Sequence, residues 1–379
     1  MTLSGLALYL HIPFCRRRCR YCSFASTAGR TSEIPAYVRA VICEIGLRRR
    51  PKAQVSTIYF GGGTPSLLEY SQLADILAAI RTNYTVANDA EITLEANPGT
   101  VDREYLRLLH MQGVNRLSLG IQSLDEGELT LLGRGHSVAE AIEIVHIARD
   151  EGFTNISLDF IYGIPDRSIK AWQEMLEGMV GLGAEHLSLY ALSFEEGTVL
   201  ADAVESGLIT PPDQDAVAGE YELACEVLAR AGYTQYEISN WARPGYESRH
   251  NMTYWTGGEY LGLGYGAHSY LDGARITGEG SLDDYLAALG EGMLTKLAAE
   301  RLSLRTALGE ALMLGLRLNV GVGADDIRAR FGIDLQGYFQ DEIAELTSLG
   351  LLVVDKGRLR LTPRGRLLGN EVFIRFFPA

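Results

Sequence analysis

Tyr9-Leu10-His11-Ile12-Pro13-Phe14-Cys15-Arg16-Arg17-Arg18-Cys19-Arg20-Tyr21-Cys22 is an apolar run that breaks at a proline into a loop carrying three of the chain's five cysteines. Three residues separate the first two thiols and two separate the last two, so one tight loop can wrap them around a metal cluster. Three thiolates leave one iron of a four-iron cube without a protein ligand, and an open iron can bind a small molecule directly. Zinc is the alternative. A structural zinc takes four ligands, and no further Cys or His stands at the usual spacing, although His11 lies just upstream of the loop. Cys43 and Cys225 sit in apolar, helix-like stretches without a thiol or imidazole nearby, and read as small core residues.

Beyond this loop, short β-rich runs alternate with amphipathic stretches. The strand candidates are residues 6–11, 57–60, 91–95, 116–120, 155–160 and 186–190. Between them, residues 35–50, 71–83, 102–111, 137–150 and 168–182 repeat apolar side chains every three or four positions, as one helix face requires. Ser71, Asp102, Ser137 and Ser168 are the candidate N-caps. Strand and helix repeated in this way specify parallel pairing with helices outside. Six units make most of a barrel, although an open doubly wound sheet satisfies the same pattern. The barrel is favoured by the unusual residues at the end of each strand: the cysteine loop, Gly61-Gly62-Gly63-Thr64-Pro65, Glu95-Ala96-Asn97-Pro98, Gln122-Ser123, Asp159 with Tyr162-Gly163-Ile164-Pro165, and Ala191. In parallel barrels these strand ends converge on one mouth. The expected fold is therefore α/β, a partial (β/α)6 TIM-like barrel.

After residue 190 the rhythm changes. Residues 213–231 read as a helix stopped by Gly232, residues 236–241 as one strand, residues 257–266 as a glycine-rich segment and residues 294–301 as a linker. Helical period returns over residues 302–318, 324–331 and 335–349. A hairpin turns at Asp355-Lys356-Gly357, and Thr362-Pro363 starts a last helix. Three helices and a hairpin form a winged-helix-like layout. The expected division is a core barrel over 1–240, a connecting segment over 241–295 and a C-terminal winged-helix-like domain over 296–379.

Composition narrows the function. The net charge of −14 argues against nucleic acid as a partner, since such binding rests on basic surface. No run approaches the about 18 apolar residues of a membrane span. The N-terminus lacks the pattern of an export signal, so a reducing, cytoplasmic setting is expected, in which clustered thiols favour metal. The glycines at 61–63 would let a ligand approach the backbone, or simply serve a tight turn. Glu95 and Asp159 could accept hydrogen bonds from hydroxyls or an amine, or be surface acids. Gln122 and Arg134 come after the fourth strand, and Arg134 suits a carboxylate unless it is an ordinary surface arginine. Arg16-Arg17-Arg18 could attract the acidic groups of a ligand, and reads rather as a solvated loop that offsets cluster charge.

The cysteine triple, with Gly61-Gly62-Gly63-Thr64-Pro65 one β/α unit later, resembles the radical S-adenosylmethionine (SAM) superfamily, in which the open iron of a [4Fe-4S] cluster holds the amino and carboxylate groups of SAM. More narrowly, Tyr9 to Cys15, the glycine loop, Leu158-Asp159-Phe160-Ile161-Tyr162-Gly163-Ile164-Pro165 and the C-terminal module resemble oxygen-independent coproporphyrinogen III oxidase and its relatives over nearly the whole chain. The resemblance implies Cys15, Cys19 and Cys22 as cluster ligands. It implies Tyr9, Gly62, Gly63, Thr64, Glu95, Gln122, Arg134, Asp159 and Ala191 around SAM.

Two features separate the oxidase from its heme-chaperone relative. The oxidase carries a further cysteine where this chain has Phe24, and a longer N-terminal extension, whereas eight residues precede Tyr9 here. The chaperone branch carries His-Asn-x-x-Tyr-Trp, matched by His250-Asn251-Met252-Thr253-Tyr254-Trp255. Arg20 and Ser23 depart from that branch, which more often has Pro and Asp there. If the segment is helical, His250 and Tyr254 share a face. An imidazole can ligate heme iron, and Tyr254 and Trp255 offer flat apolar surface. Alternatively, His250 is a core or capping histidine with packing aromatics around it. His268 is a weaker heme candidate. The resemblance thus implies a protein that binds heme and passes it to an acceptor such as a respiratory enzyme, membrane-associated or not, with an electron donor if SAM is cleaved. The rival is the oxidase, whose cluster and SAM decarboxylate coproporphyrinogen III. A winged-helix nucleic-acid binder is disfavoured by the acidic balance.

Overall fold

In the strand Arg116-Leu117-Ser118-Leu119-Gly120-Ile121-Gln122, polar and apolar residues alternate, so its two faces meet different surroundings. The computed structural model describes residues 5–378. In it, this strand is the fourth of six parallel strands: β1 (Leu6–Ile12), β2 (Gln54–Gly62), β3 (Thr85–Ala96), β4 (Arg116–Gln122), β5 (Ile156–Tyr162) and β6 (His186–Ala191). They pair in chain order. Helices such as Ile34–Leu47, Tyr70–Asn83, Arg103–Met111, Val138–Asp150 and Ile169–Gly181 connect them. The apolar strand face, including Leu8, Ile58, Leu94, Leu117, Leu158 and Leu187, packs in one core with helix residues such as Val41, Ile76, Leu106, Val145 and Trp172. Each such side chain, fully buried, contributes about 1.5–3 kcal/mol, so this face fixes the register. The other face carries Tyr9, Tyr59, Glu95, Arg116, Ser118, Asp159 and Ser188, and the sheet curls around it.

The six β/α units form a partial barrel, as expected, and the sheet does not close. Tyr260–Leu263 adds a parallel strand beside β1, and His268–Leu271, Ala274–Gly278 and Leu297–Arg301 continue it antiparallel. Beyond β6, Asn240–Ala242 and Thr234–Glu237 pair antiparallel. Two expectations are corrected here. The supposed linker at 294–301 contains an edge strand. All five of its residues are exposed, so it carries no apolar alternation for sequence to show. The single strand expected over 236–241 is two strands joined by a turn, with Ser239 N–H bonded to the Glu237 carboxylate at 3.0 Å.

Asp102, Ser137 and Ser168 cap their helices through their side chains. Ser71 does not. The second helix starts one residue earlier, where Gln72 Oε1 accepts from the Glu69 N–H at 2.9 Å and closes a capping box. The C-terminal module has its own core, with Leu308, Leu312, Leu316, Ile327, Phe339, Leu346 and Phe376 among its members. The helix expected over 335–349 breaks at Phe339 into Leu335–Tyr338 and Gln340–Ser348. The hairpin Leu352–Asp355 and Arg358–Leu361 gains a third strand, Val322–Gly323. The module is tied to the barrel by Arg317, which donates to Glu237 at 3.1 Å and lies 4.6 Å from the Trp255 ring centre.

Candidate functional site

A cavity of about 410 Å³ opens at the C-terminal ends of the six strands. Its wall includes Cys15, Cys19 and Cys22 from the loop after β1, Gly62, Gly63 and Thr64 after β2, Glu95, Gln122, Arg134, Asp159 and Ala191. Residues separated by up to 236 positions in sequence (from Cys15 to Asn251) therefore share one space.

The cysteine loop is held from three sides. His11 Nε2 bonds the Ala25 carbonyl at 2.8 Å, and Arg20 N–H bonds the Leu132 carbonyl at 3.0 Å. Thr64 Oγ1 donates to Cys15 Sγ at 3.5 Å, and an Arg134 N–H donates to Cys19 Sγ at 3.3 Å. All three thiols are free. Burial raises the Cys15 thiol, the Thr64 hydroxyl opposes that rise, and the charges of Cys22 and Cys19 add to it. Among the described residues, no three His, Cys, Asp or Glu side chains are gathered around a point as a single ion requires. The donor set fits a cluster instead: three thiols on one cavity wall, two of them already accepting hydrogen bonds of the kind that stabilise thiolate ligands.

Glycine is required at two positions beside the loop. Gly62 has φ +116°, and a Cβ there would lie 2.7 Å from the His11 ring. A Cβ on Gly63 would lie 2.8 Å from the Phe14 carbonyl oxygen. Both glycines let the β2 turn press against the cysteine loop. Opposite them, Glu95 accepts from the Tyr59 hydroxyl at 2.7 Å and from the Gly62 N–H at 3.2 Å. Burial pushes its carboxyl up to about 7, with Asp159 adding to the rise and Tyr59, Gly62 and Arg116 opposing it. Asp159 accepts from Ser118 at 3.0 Å and from Ser157 at 3.4 Å, and burial raises it too. Gln122 takes φ 71°, at a register shift between β4 and β5. Such an irregularity re-aims a side chain at a sheet's rim.

Five predicted residues lie outside the cavity wall, the weaker heme candidate His268 among them, on the strand His268–Leu271. Tyr9 is one layer below, bonded to His11 Nδ1 at 3.1 Å and stacked on Tyr59. His250 and Tyr254 do share a helix face, on Arg249–Trp255. His250 is 1 % exposed. Its Nδ1 meets Thr57 Oγ1 at 2.8 Å and its Nε2 meets the Tyr254 hydroxyl at 2.8 Å, so both ring nitrogens are occupied. Burial and the Arg116 charge lower its pKa to about 3. Trp255 lies under Arg317 at the seam with the C-terminal module. From this helix it is Asn251 that reaches the cavity. Asn97 and Asn251 come to the wall from quoted motifs without a role assigned to them, and sequence reading does not single out Tyr59, Arg116, Ser118 or Ser188, all on the wall. The two-residue polar alternation of the strands is the signal that could find these four.

The chain's likenesses agree with this geometry. Residues 9–178 match the radical SAM superfamily and residues 302–368 match the HemN C-terminal domain. The heme chaperone HemW of Lactococcus lactis is 36% identical over 97% of this chain and 96% of its own. That of Mycobacterium tuberculosis is 37% identical over 98% and 97%. Among solved structures, the Escherichia coli coproporphyrinogen III oxidase HemN, a radical SAM enzyme, superposes with a TM-score of 0.85 at 24% identity, over 98% of this chain and 90% of that one. The last likeness speaks for the fold alone.

Proposed function

Since this chain belongs to the radical SAM superfamily and, within it, to the family of the heme chaperone HemW, we propose that it binds heme in the cytoplasm and passes it to an acceptor protein, a respiratory enzyme being the class we favour. Heme is cargo in this reading. The observation that carries it is the full-length identity to proteins named as heme chaperones, joined to a cavity walled by the cysteine loop. Cys15, Cys19 and Cys22 would hold a [4Fe-4S] cluster. Gly62, Gly63, Thr64, Glu95, Gln122, Arg134, Asp159 and Ala191 would hold SAM, with Tyr9 supporting them through His11 and Tyr59. When bound, a reduced cluster of this type would supply one electron, drawn from an electron donor if SAM is cleaved.

The chain's own groups account for the rest. Thr64 and Arg134 hold the thiolates through hydrogen bonds. Glu95 and Asp159 present acceptors whose burial favours the neutral carboxyl, and for Glu95 this moves its titration up to about 7. Heme ligation by His250, with Tyr254 and Trp255 against the porphyrin, requires release of Thr57 or Tyr254 from the imidazole, and so belongs to an opened state of that helix.

The test is hemin titration of anaerobically reconstituted protein. A saturable heme absorption band supports the reading, and transfer to an apo-acceptor supports its second half. No uptake, or decarboxylation of coproporphyrinogen III with SAM and reductant, rejects it. His250→Ala weakens the band if that imidazole is the ligand and leaves it unchanged if heme binds elsewhere.

A further inference from the structure

A line of aromatic rings runs from the cavity wall to the surface. Tyr59, on β2, lines the cavity, and Tyr9 stacks beside it with ring centres 6.2 Å apart. His250 stacks on Tyr59 at 4.9 Å, Tyr254 meets His250 edge-on at 5.1 Å, and Tyr260 meets Tyr254 edge-on at 4.7 Å. Tyr260 stands directly opposite Tyr270 on the neighbouring strand, with ring centres 6.5 Å apart. There the line reaches solvent. The Tyr270 hydroxyl accepts from Arg330, on the helix Ala324–Phe331, in an exposed bond of 2.9 Å.

Packing alone asks only for the rings. Phenylalanine would fill the same space without burying a hydroxyl, which costs free energy unless it is bonded. The tyrosines at the buried end keep their hydroxyls, and each has a partner able to take its proton. Tyr59 donates to Glu95 Oε1 at 2.7 Å, and Tyr254 shares its hydroxyl with His250 Nε2 at 2.8 Å. Burial drives both phenols well above their ordinary range. Neither is a phenolate at neutral pH, so either can lose an electron only as its proton moves to that partner.

We propose that this line carries one-electron oxidation out of the cavity, so that a strong oxidant formed there ends as a tyrosyl radical at the surface and not as damage to the site. By class the oxidant is heme iron oxidised by peroxide. Its identity rests on the heme reading, whereas the line of rings does not. The oxidant gains one electron from Tyr59, and the phenolic proton passes to Glu95, leaving a neutral tyrosyl radical. Tyr254 then gives an electron to Tyr59 across the His250 ring. Glu95 returns the first proton, and the Tyr254 proton moves to His250 Nε2. Tyr260 and then Tyr270 repeat the exchange, each releasing its proton to water. At the surface, the Tyr270 radical regains an electron and a proton from a soluble reductant such as a thiol or ascorbate. Tyr254 and Tyr260 recover their protons as they are reduced, and the net transfer is one electron from reductant to oxidant.

The test puts a photo-oxidant in the cavity and needs neither heme nor SAM. The thiols of the cysteine loop, all on the cavity wall, are labelled sub-stoichiometrically with a ruthenium polypyridyl, in protein carrying Cys43→Ala and Cys225→Ala. A flash with a sacrificial quencher creates the oxidant, and a nitroso spin trap with peptide mass spectrometry locates the radical. Tyr270 is expected to carry most of the adduct. Tyr260→Phe keeps the ring and breaks no hydrogen bond, since that hydroxyl makes none among the described residues. It should remove most of the Tyr270 adduct and move the trap back to Tyr254 or Tyr59. Tyr59→Phe should remove the adduct from every later ring. The proposal is overturned if the Tyr270 adduct is unchanged in Tyr260→Phe or in Tyr59→Phe. It is overturned equally if the adduct gathers on Tyr21 or Tyr190, which share the wall but stand off the line. Failure of hemin to bind rejects the heme reading and leaves this result standing.

Discussion

Glu95→Gln is expected to make the SAM-free protein less sensitive to pH. Burial pushes the Glu95 carboxyl from an ordinary 4.5 up to about 7. A carboxyl raised on folding favours its neutral form in the folded state, so the folded protein binds more protons than the unfolded chain between those values. The stability this group contributes is therefore complete below the unfolded pKa, is lost as pH rises toward the folded one, and levels off above it. A rise of that size corresponds to about 3 kcal/mol in full, most of it lost between about pH 5 and pH 8. Asp159 shares the wall and is raised in the same direction, so the difference between wild type and variant belongs to the pair. The assay is urea unfolding of reduced, cluster-free protein across that range, monitored by the fluorescence of Trp172 and Trp241, both buried in the barrel. The variant should gain about 2–3 kcal/mol on wild type from the acid to the alkaline end. Parallel stability curves would show that the carboxyl ionises as freely in the fold as out of it, and the assignment of Glu95 to a desolvated site would fall.

Other consequences are as direct. Cys19→Ser should abolish the broad visible absorption of a reconstituted cluster, and an unchanged chromophore rejects the three-thiolate site. Thr64→Val and Arg134→Met each remove a donor to a thiol and should lower the cluster's reduction potential, read by an EPR-monitored redox titration; unshifted potentials show that those bonds do not reach the cluster. Gly62→Ala forces a Cβ against His11 at φ +116° and should cost roughly 2 kcal/mol or more, together with cluster loading, by unfolding and iron analysis; a protein that loads iron normally refutes the tight approach. His250→Ala strands the Thr57 and Tyr254 hydroxyls in a buried space and should destabilise the barrel by about 2–4 kcal/mol, with a loss below about 1 kcal/mol showing that the network is open in solution.

Where local chemistry decides structure, the sequence can be read closely. Asp102, Ser137 and Ser168 each supply a cap just before a periodic run, and all three helices begin there. The cysteine loop, the glycine turn, Glu95 and Asp159 can be placed at one mouth because β/α order alone brings strand ends together. What escapes is decided by distant partners. Leu297–Arg301 is a strand only because Ala274–Gly278 lies beside it. Whether His250 faces a ligand or Thr57 depends on a strand some 190 residues away. Arg116 stands in plain view at the head of a strand, but its burial on the cavity wall is a property of everything around it.

The free edges of the sheet bear on how large a guest the molecule can admit. A fully closed barrel has a bore set by strand number and stagger, and it can widen only by tearing a ladder of backbone hydrogen bonds. Here the ring is never completed among the described residues, so the wall ends in free edges and its curvature is set by sheet twist and not by closure. The width of the mouth is then a matter of how the open sheet twists rather than of strand count alone.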